Sequence, residues 1–508
     1  MESLGINYHA ILPEAITASV AVLIMMIDAV SRKIERRVAG IVSLLGLIGA
    51  AAAVVSLWGG NGETSFRGMI ITDDFRLFFA GIFLIVTFLT VLISLRWIEK
   101  ESLPVGEYFS LLMFATTGML FMSAANDLVM IFLGLEITSI STYVLCGYRR
   151  RDLRSNESAM KYFILGSFST AFLLYGIAFI YGATYSPAAH PVATTNLQVI
   201  KERIASGALY SPEMLLAGAA MMIVGFGFKV ATAPFHVWSP DVYEGAPTPV
   251  TAFLSTGSKA AAFAAFSRVF ILTFAATSFA LSTGALHTLQ GSITNALVVM
   301  AILTMTIGNL VAIVQSNIKR MLAYSSIAHA GYALVGLIAN DWRAVAFYLL
   351  SYVLINIGAF GIIELFARRG DKRVEISDYA GIGFQSLGLA SVLSLFLLSL
   401  AGMPLTGGFV AKLLVFKSAW AGGFHLLVVI AVINSAISWY YYLRVIVAMF
   451  FAEPATGFKP PTVARSMAAA LVLALLGTLY LGILPGRVLD TLERARDKMT
   501  QVRDAKPL

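Results

Sequence analysis

Residues 225–261, GFGFKVATAPFHVWSPDVYEGAPTPVTAFLSTGSKAA, decide how the chain is read. The stretch begins inside an apolar segment and carries Lys229 at membrane depth. Pro234 and Pro240 interrupt it, and beyond Pro247 and Pro249 it enters a second apolar segment with another lysine, Lys259. Broken backbone and charge are both costly in hydrocarbon. Irregular backbone survives at that depth only when buried in protein or lining a wet cavity. An ionisable side chain there is a functional candidate by default.

The rest of the chain supplies the membrane. It has 508 residues, 58% hydrophobic and 13% charged, with a mean hydropathy of +0.82. Apolar runs of about 20 residues, the length of a membrane-spanning helix, recur from end to end. The fold class is an all-α polytopic membrane protein. Fourteen spans are expected, at roughly 10–31, 38–58, 74–97, 106–124, 126–148, 157–182, 212–243, 247–276, 292–314, 319–339, 342–367, 385–420, 424–451 and 464–485. The seventh and twelfth are longer than one crossing needs and contain prolines or glycines. No soluble domain fits between them, and the loop from Tyr185 to Ser211, with Pro187 and Pro191, reads as a polar surface excursion. MESLGINYHAILPEAI lacks the basic start of a cleaved signal and reads as the lead-in to the first span.

The net charge of +8 calls for topology rather than a nucleic-acid partner. Arg32, Lys33, Arg36 and Arg37, then Arg149, Arg150, Arg151 and Arg154, then Arg368, Arg369, Lys372 and Arg373 all follow odd-numbered spans. Loops after even-numbered spans hold few bases. This bias puts the odd loops in the cytoplasm and both termini on the outer face. The basic tail after Pro485 follows the last span and reads as an amphipathic helix on the membrane surface or on a neighbour. A single cysteine, Cys146, excludes an intrachain disulfide and a thiolate metal cluster. The sequence has no metal-binding HExxH, nucleotide-binding loop or dinucleotide fingerprint, so no cofactor or metal site is legible.

Most charges sit near span ends, where long side chains snorkel to water. Asp28, Glu364 and Arg444 read as structural, and Asp127 as a helix N-cap. A smaller set lies deeper: Glu136 in the fifth span, Lys161 in the sixth, Lys229 before the break in the seventh, Lys259 in the eighth, His329 in the tenth, and Lys412 after the break in the twelfth. One charge at the centre of a helix costs about 2.5–3.5 kcal/mol, so four unpaired charges cost on the order of 10 kcal/mol. Salt bridges between helices explain any one of these residues. They do not explain the set, because four lysines face Glu136 as the one deep acid. Two charges about 8 Å apart at an effective dielectric near 20 interact by roughly 2 kcal/mol, so loading one site changes the next. That is the physics of a proton relay. Breaks at similar places in two halves also suggest an internal inverted repeat with its site at the breaks.

PFHVWSPDVYEGAPTPVTAFLSTGSKAA resembles the proton-translocating, antiporter-like membrane subunits of respiratory complex I. The wording EGAPTPVTAFLS is similar to the N type rather than the L or M types. LGLEITSISTYVL, ESAMKYFILGSFSTAFLLYG, IKRMLAYSSIAHAGY and LAGMPLTGGFVAK support it, and the resemblance spans about residues 70–450. It implies two inverted five-helix repeats, 106–276 and 277–451, with helices 1–105 before them and a last helix and tail at 452–508. It also implies that Glu136, Lys229, Lys259 and Lys412 carry protons, with Lys161 and His329 in the relay, and that the charge of Glu136 tunes Lys229. The implied partners are homologous and small membrane subunits of complex I in a bacterial inner membrane. NADH, FMN, iron–sulfur clusters and quinone would belong to other subunits, leaving no redox chemistry in this chain. Two alternatives remain open: a subunit of a multisubunit cation/proton antiporter, and a non-transporting membrane scaffold. The EGAPTP context favours complex I over the antiporter.

Overall fold

A computed structural model describes residues 6–31, 35–60, 62–185, 192–207, 209–274, 289–367, 369–453 and 461–504. Arg32, Lys33, Pro187, Pro191 and Arg368 lie outside the described residues, as does the expected boundary between 276 and 277. The chain runs through α1 (Leu12–Ser31), α2 (Arg36–Leu57), α3 (Asp74–Glu101), α4 (Gly106–Ala124), α5 (Leu128–Cys146) and α6 (Leu153–Ala183). It continues through α7 (Leu197–Ala205), α8 (Pro212–Val230), α9 (Trp238–Gly245), α10 (Thr248–Phe253), α11 (Lys259–Ser267), α12 (Leu289–Ile313), α13 (Ile318–Ile338) and α14 (Trp342–Phe366). It ends with α15 (Ile382–Gln385), α16 (Leu387–Ala401), α17 (Gly407–Ala421), α18 (His425–Phe451), α19 (Arg465–Ile483) and α20 (Gly486–Asp504). The one sheet among the described residues is a hairpin of β1 (Glu63–Ser65) and β2 (Ile70–Thr72).

Eleven of the helical segments are each long and apolar enough to cross a membrane. The remaining three expected spans differ in form. One is α4. Another is assembled from α10, a wide π-helical turn at Leu254–Ser258, α11 and a second π-helical turn at Arg268–Thr273. The third is broken between α16 and α17, as the seventh span is broken between α8 and α9.

Polar caps set where the helices begin. Asp73, Asp127, Asp152, Asn196, Ser211, Asn317 and Asp341 each accept a backbone N–H of the first turn with a side-chain oxygen. Asp127 is thus the N-cap that its position promised. Between helices, small residues allow the close approach on which packing in lipid depends. A Cβ on Gly118 would stand 2.6 Å from the carbonyl oxygen of Gly134 on α5. One on Gly308 would stand 2.7 Å from the Ala328 nitrogen on α13, and the α4–α5 and α12–α13 seams are alike in this respect. α13 and α14 are buried nearly all round and form the centre of the bundle, whereas α1, α6 and α19 bury one side.

The two ends of the bundle are distinct. At one, Arg149, Lys319 and Asp371 gather with the ends of α3, α9 and α14; we call this the basic face. At the other, Asn7 bonds Ser65 in the β-hairpin, and α20 returns to lie beside Gly59 and Asp74 through Lys498. Both described chain ends therefore lie on the same face. α20 buries Leu492 and Ala495 against its own chain rather than standing free. The loop before α8 is also more than a polar excursion. Leu197, Ile200 and Ile204 share one side of α7 and are buried, and the Asn126 carbonyl accepts the Leu197 N–H.

Two span-end charges are not snorkelling. Glu364 is buried and pairs with Lys100 of α3 at 2.6 Å. The Arg444 guanidinium donates to the carbonyls of Ile313 and Gln315 and so caps the end of α12.

Candidate functional site

The first break starts at Lys229, in the last turn of α8. Ala231 takes a left-handed conformation (φ +59°), and the Thr232 N–H returns to the Gly227 carbonyl. The Ala233 N–H donates to Thr304 of α12, so the freed backbone is satisfied inside protein. Trp238, opening α9, stacks on Tyr162 at 4.5 Å and donates its indole N–H to the Phe228 carbonyl across the break.

These elements fix Lys229. Its Nζ donates to Ser139 Oγ at 2.8 Å and to the Tyr162 hydroxyl at 3.0 Å. Glu136 stands one turn before Ser139 on α5, half-buried, with Oε1 enclosed and unpartnered among the described residues. The two expected partners do not touch: among the described residues no carboxylate lies within 4.0 Å of Lys229. Glu136 and Lys229 thus form no direct ion pair, and the Ser139 hydroxyl that meets Lys229 donates to the Leu135 carbonyl.

Lys161 differs more sharply from expectation. It is not a deep, acid-free lysine. It lies 2.7 Å from both Glu157 and Asp241 and its side chain is 40% exposed. Asp241, in the SPD turn of α9, is shared with Arg320, also at 2.7 Å. The reason is geometric: α9 descends from the break beside the first turns of α6, bringing the aspartate to the lysine. The count of deep lysines therefore falls to three.

Lys259 follows the first wide turn and is buried. Its Nζ donates to Ser326 at both Oγ (2.6 Å) and the carbonyl oxygen (3.0 Å). Ser326 lies on α13, one turn before His329. His329 places Nδ1 2.6 Å from the Tyr348 hydroxyl and Nε2 3.3 Å from that of Tyr442. In a neutral imidazole one ring nitrogen donates and the other accepts, so it can pass a proton between the two tyrosines. One turn further, the Tyr332 ring lies 5.0 Å from Lys412 Nζ. Ser326, His329 and Tyr332, three residues apart, thus form a rail along one side of α13 from Lys259 to Lys412.

Lys412 sits just past the second break. Gly402, at φ +99°, ends α16 in a conformation that suits glycine. Lys412 Nζ donates to the Ala401 carbonyl and to Ser435 Oγ, both at 2.9 Å. Sequence reasoning missed Ser139, Tyr162, Ser326, Tyr332 and Ser435. Ser139, Ser326 and Tyr332 were findable, since each lies one helical turn from a residue already singled out.

Among the described residues no group of three or more His, Cys, Asp or Glu side chains is placed to hold a metal ion. What the arrangement offers is a series of lysines in neutral cages. A hydroxyl can accept from an ammonium or turn and donate to an amine. A proton can therefore leave any of the three without stranding a carboxylate.

The family described as NADH:quinone oxidoreductase/Mrp antiporter, TM matches residues 125–438. NADH-quinone oxidoreductase subunit N from Trichlorobacter lovleyi is 44% identical over 96% of this chain and 97% of its own. A chain of respiratory complex I from Thermus thermophilus with bound aureothin superposes with a TM-score of 0.77 at 32% identity, over 94% of this chain and 99% of that one. A chain of the Mrp complex from Dietzia sp. superposes at 0.80 with 20% identity, over 98% and 99%, and so shares the fold. The chain belongs to the family of NADH:quinone oxidoreductase/Mrp antiporter transmembrane subunits.

Proposed function

We propose that this chain is the N-type proton-translocating membrane subunit of NADH–quinone oxidoreductase in a bacterial inner membrane. It moves protons while other subunits oxidise NADH and reduce quinone, and FMN, iron–sulfur clusters and quinone are held there. The observation that carries the reading is the line of three buried lysines, Lys229, Lys259 and Lys412, each hydrogen-bonded to neutral groups. Lys259 and Lys412 are joined by the rail on α13. Moving a proton against about 100 mV costs about 2.3 kcal/mol.

In this reading, 106–276 and 277–451 are inverted halves, each with one broken helix and its lysine. The basic face is cytoplasmic and the termini are outside. Glu136 and Lys161 act at the rim of the line, with Lys161 tied to Asp241. The near-full-length likeness to subunit N favours complex I over a separate antiporter, for which the Mrp likeness supplies fold alone. The test is Lys229→Ala in the assembled complex. Proton pumping per electron should fall while the subunits remain together. Unchanged pumping by a fully assembled variant would return the chain to the scaffold reading.

A further inference from the structure

The basic face holds a second buried polar cluster that the lysine line does not use. Arg149, Lys319 and Asp371 are 6%, 0% and 5% exposed. Lys319 Nζ donates to the Ala246 carbonyl at 2.7 Å and lies 3.1 Å from Asp371 Oδ2, which is 3.3 Å from Arg149. Glu364, at the end of α14, adjoins this group, pairing through Oε1 with Lys100 and lying within the charge field of Asp371 and Glu101. Lys319, Tyr108 and Tyr379 face it from α13, α4 and the turn before α15.

Among the described residues the cluster is only partly satisfied. Glu364 Oε2, Asp371 Oδ1, and Arg149 Nε and Nη1 are enclosed with no hydrogen-bond partner among the described residues. Leaving buried charged atoms unpaired costs several kcal/mol, and such atoms are normally satisfied by ordered water. A buried water needs several such polar partners.

Further hydroxyls stand along the α3–α4 seam. Tyr108 OH lies 2.8 Å from Ser94 Oγ, and Ser94 donates to the Thr90 carbonyl. Thr87 and Thr116 bond each other at 2.7 Å, midway along α3. Beside them Val86 and Met119 press on Gly257, in the wide turn that ends next to Lys259. These hydroxyls also bond carbonyls of their own helices, as hydroxyls in membrane helices do.

We propose that Glu364 is a proton-loading carboxylate in a hydrated chamber on the basic face, feeding the Lys259 region along the α3–α4 seam. The inference rests on the proton-translocating function. A hydronium ion gives its proton to Oε2, leaving water and a neutral carboxyl. Lys100 then keeps two acceptors, the carbonyls of Glu364 and Ala367 at 3.3 and 3.1 Å, so its ammonium is not stranded. When the proton moves on, through waters and the hydroxyls of the seam, the carboxylate re-forms its pair with Lys100.

The test compares Glu364→Gln with Lys229→Ala in the reconstituted complex, reading protons moved per NADH oxidised. A turnover-dependent infrared difference spectrum is taken alongside. The glutamine keeps an oxygen for Lys100 but cannot take a proton. The expected result is assembly with a lowered proton ratio and loss of a protonated-carboxyl band seen in the parent. A lowered ratio in Lys229→Ala with an unchanged ratio and spectrum in Glu364→Gln overturns this inference alone. Unchanged ratios in both overturn the function beneath it. Should Glu364→Gln not assemble, a high-resolution map of the parent complex decides. Water density linking the basic face to Glu364 Oε2 supports the chamber, and a dry Oε2 overturns it.

Discussion

Lys412 donates a hydrogen bond to the carbonyl oxygen of Ala401, 2.9 Å away, across the gap that splits its own span. Ala401 is the last residue of α16, where the helix dipole presents partial negative charge. The break thus places a cation-favouring helix end beside the lysine without a carboxylate. Lys412→Arg keeps a cation there but not one that gives up its proton, since a guanidinium stays charged in proteins. The expected outcome is an assembled complex with less proton pumping, measured in proteoliposomes. Full pumping would mean that Lys412 supplies charge rather than a transferable proton.

Ser326 is the contact through which Lys259 meets α13, and Oγ is its shorter contact with Nζ. Ser326→Ala removes that hydroxyl and leaves the carbonyl. A hydrogen bond to a charged group is worth about 1.5–3 kcal/mol, so proton passage through this link should slow by about tenfold or more. Pumping and NADH oxidation, measured together, separate this from a general loss of stability. Equal loss of assembled complex and of activity would point to stability instead.

Lys161 should matter less than the three buried lysines. If it is replaced by alanine, Asp241 keeps Arg320 at 2.7 Å, and the site is 40% exposed. The expected proton ratio for Lys161→Ala lies between those of the parent and of Lys229→Ala. A defect as deep as that of Lys229→Ala would place Lys161 in the line after all.

Asp371 carries a pH dependence whose sign can be worked out. Burial pushes its carboxyl up, but Lys319 and Arg149 outweigh it and hold the group below the usual carboxylate range. A group with a depressed folded value stabilises above its unfolded value, about 3.9 for aspartate, and loses that contribution as the pH falls through the folded value. Asp371→Asn should therefore lower the thermal midpoint of the complex at neutral pH. The gap from the parent should close as the pH drops below about 4. A gap that does not vary with pH would show that the charge of Asp371 is not what stabilises the basic face.

The parts of this account legible in the sequence are those written over short distances. Prolines and glycines marked both breaks, and the apolar runs fixed the class. Asp127 declared itself as an N-cap by standing where a helix had to begin. What stayed hidden depends on pairings between residues far apart in the chain. Lys161 and Asp241 are 80 residues apart, so that pair is not legible in the sequence, whereas Glu157, one turn before Lys161, is. Arg268, which grips Asp73 through two hydrogen bonds, is 195 residues from it, and nothing near either residue in the sequence marks the pair. The wide turns flanking α11 were invisible for another reason. LSTGS and RVFILT contain no residue that marks a π-helical turn, and packing selects that form. Glu364 reads from the sequence as a snorkelling charge because Lys100, its partner, comes from a helix 264 residues earlier.

The most direct test of the central claim concerns Lys259, the middle link. The measurement is the number of protons translocated per NADH oxidised by the reconstituted complex carrying Lys259→Ala, with assembly checked by subunit content. A line of lysines that hands protons along α13 requires that ratio to fall below the parent value while the subunits remain together. A fully assembled complex with an unchanged ratio would contradict it.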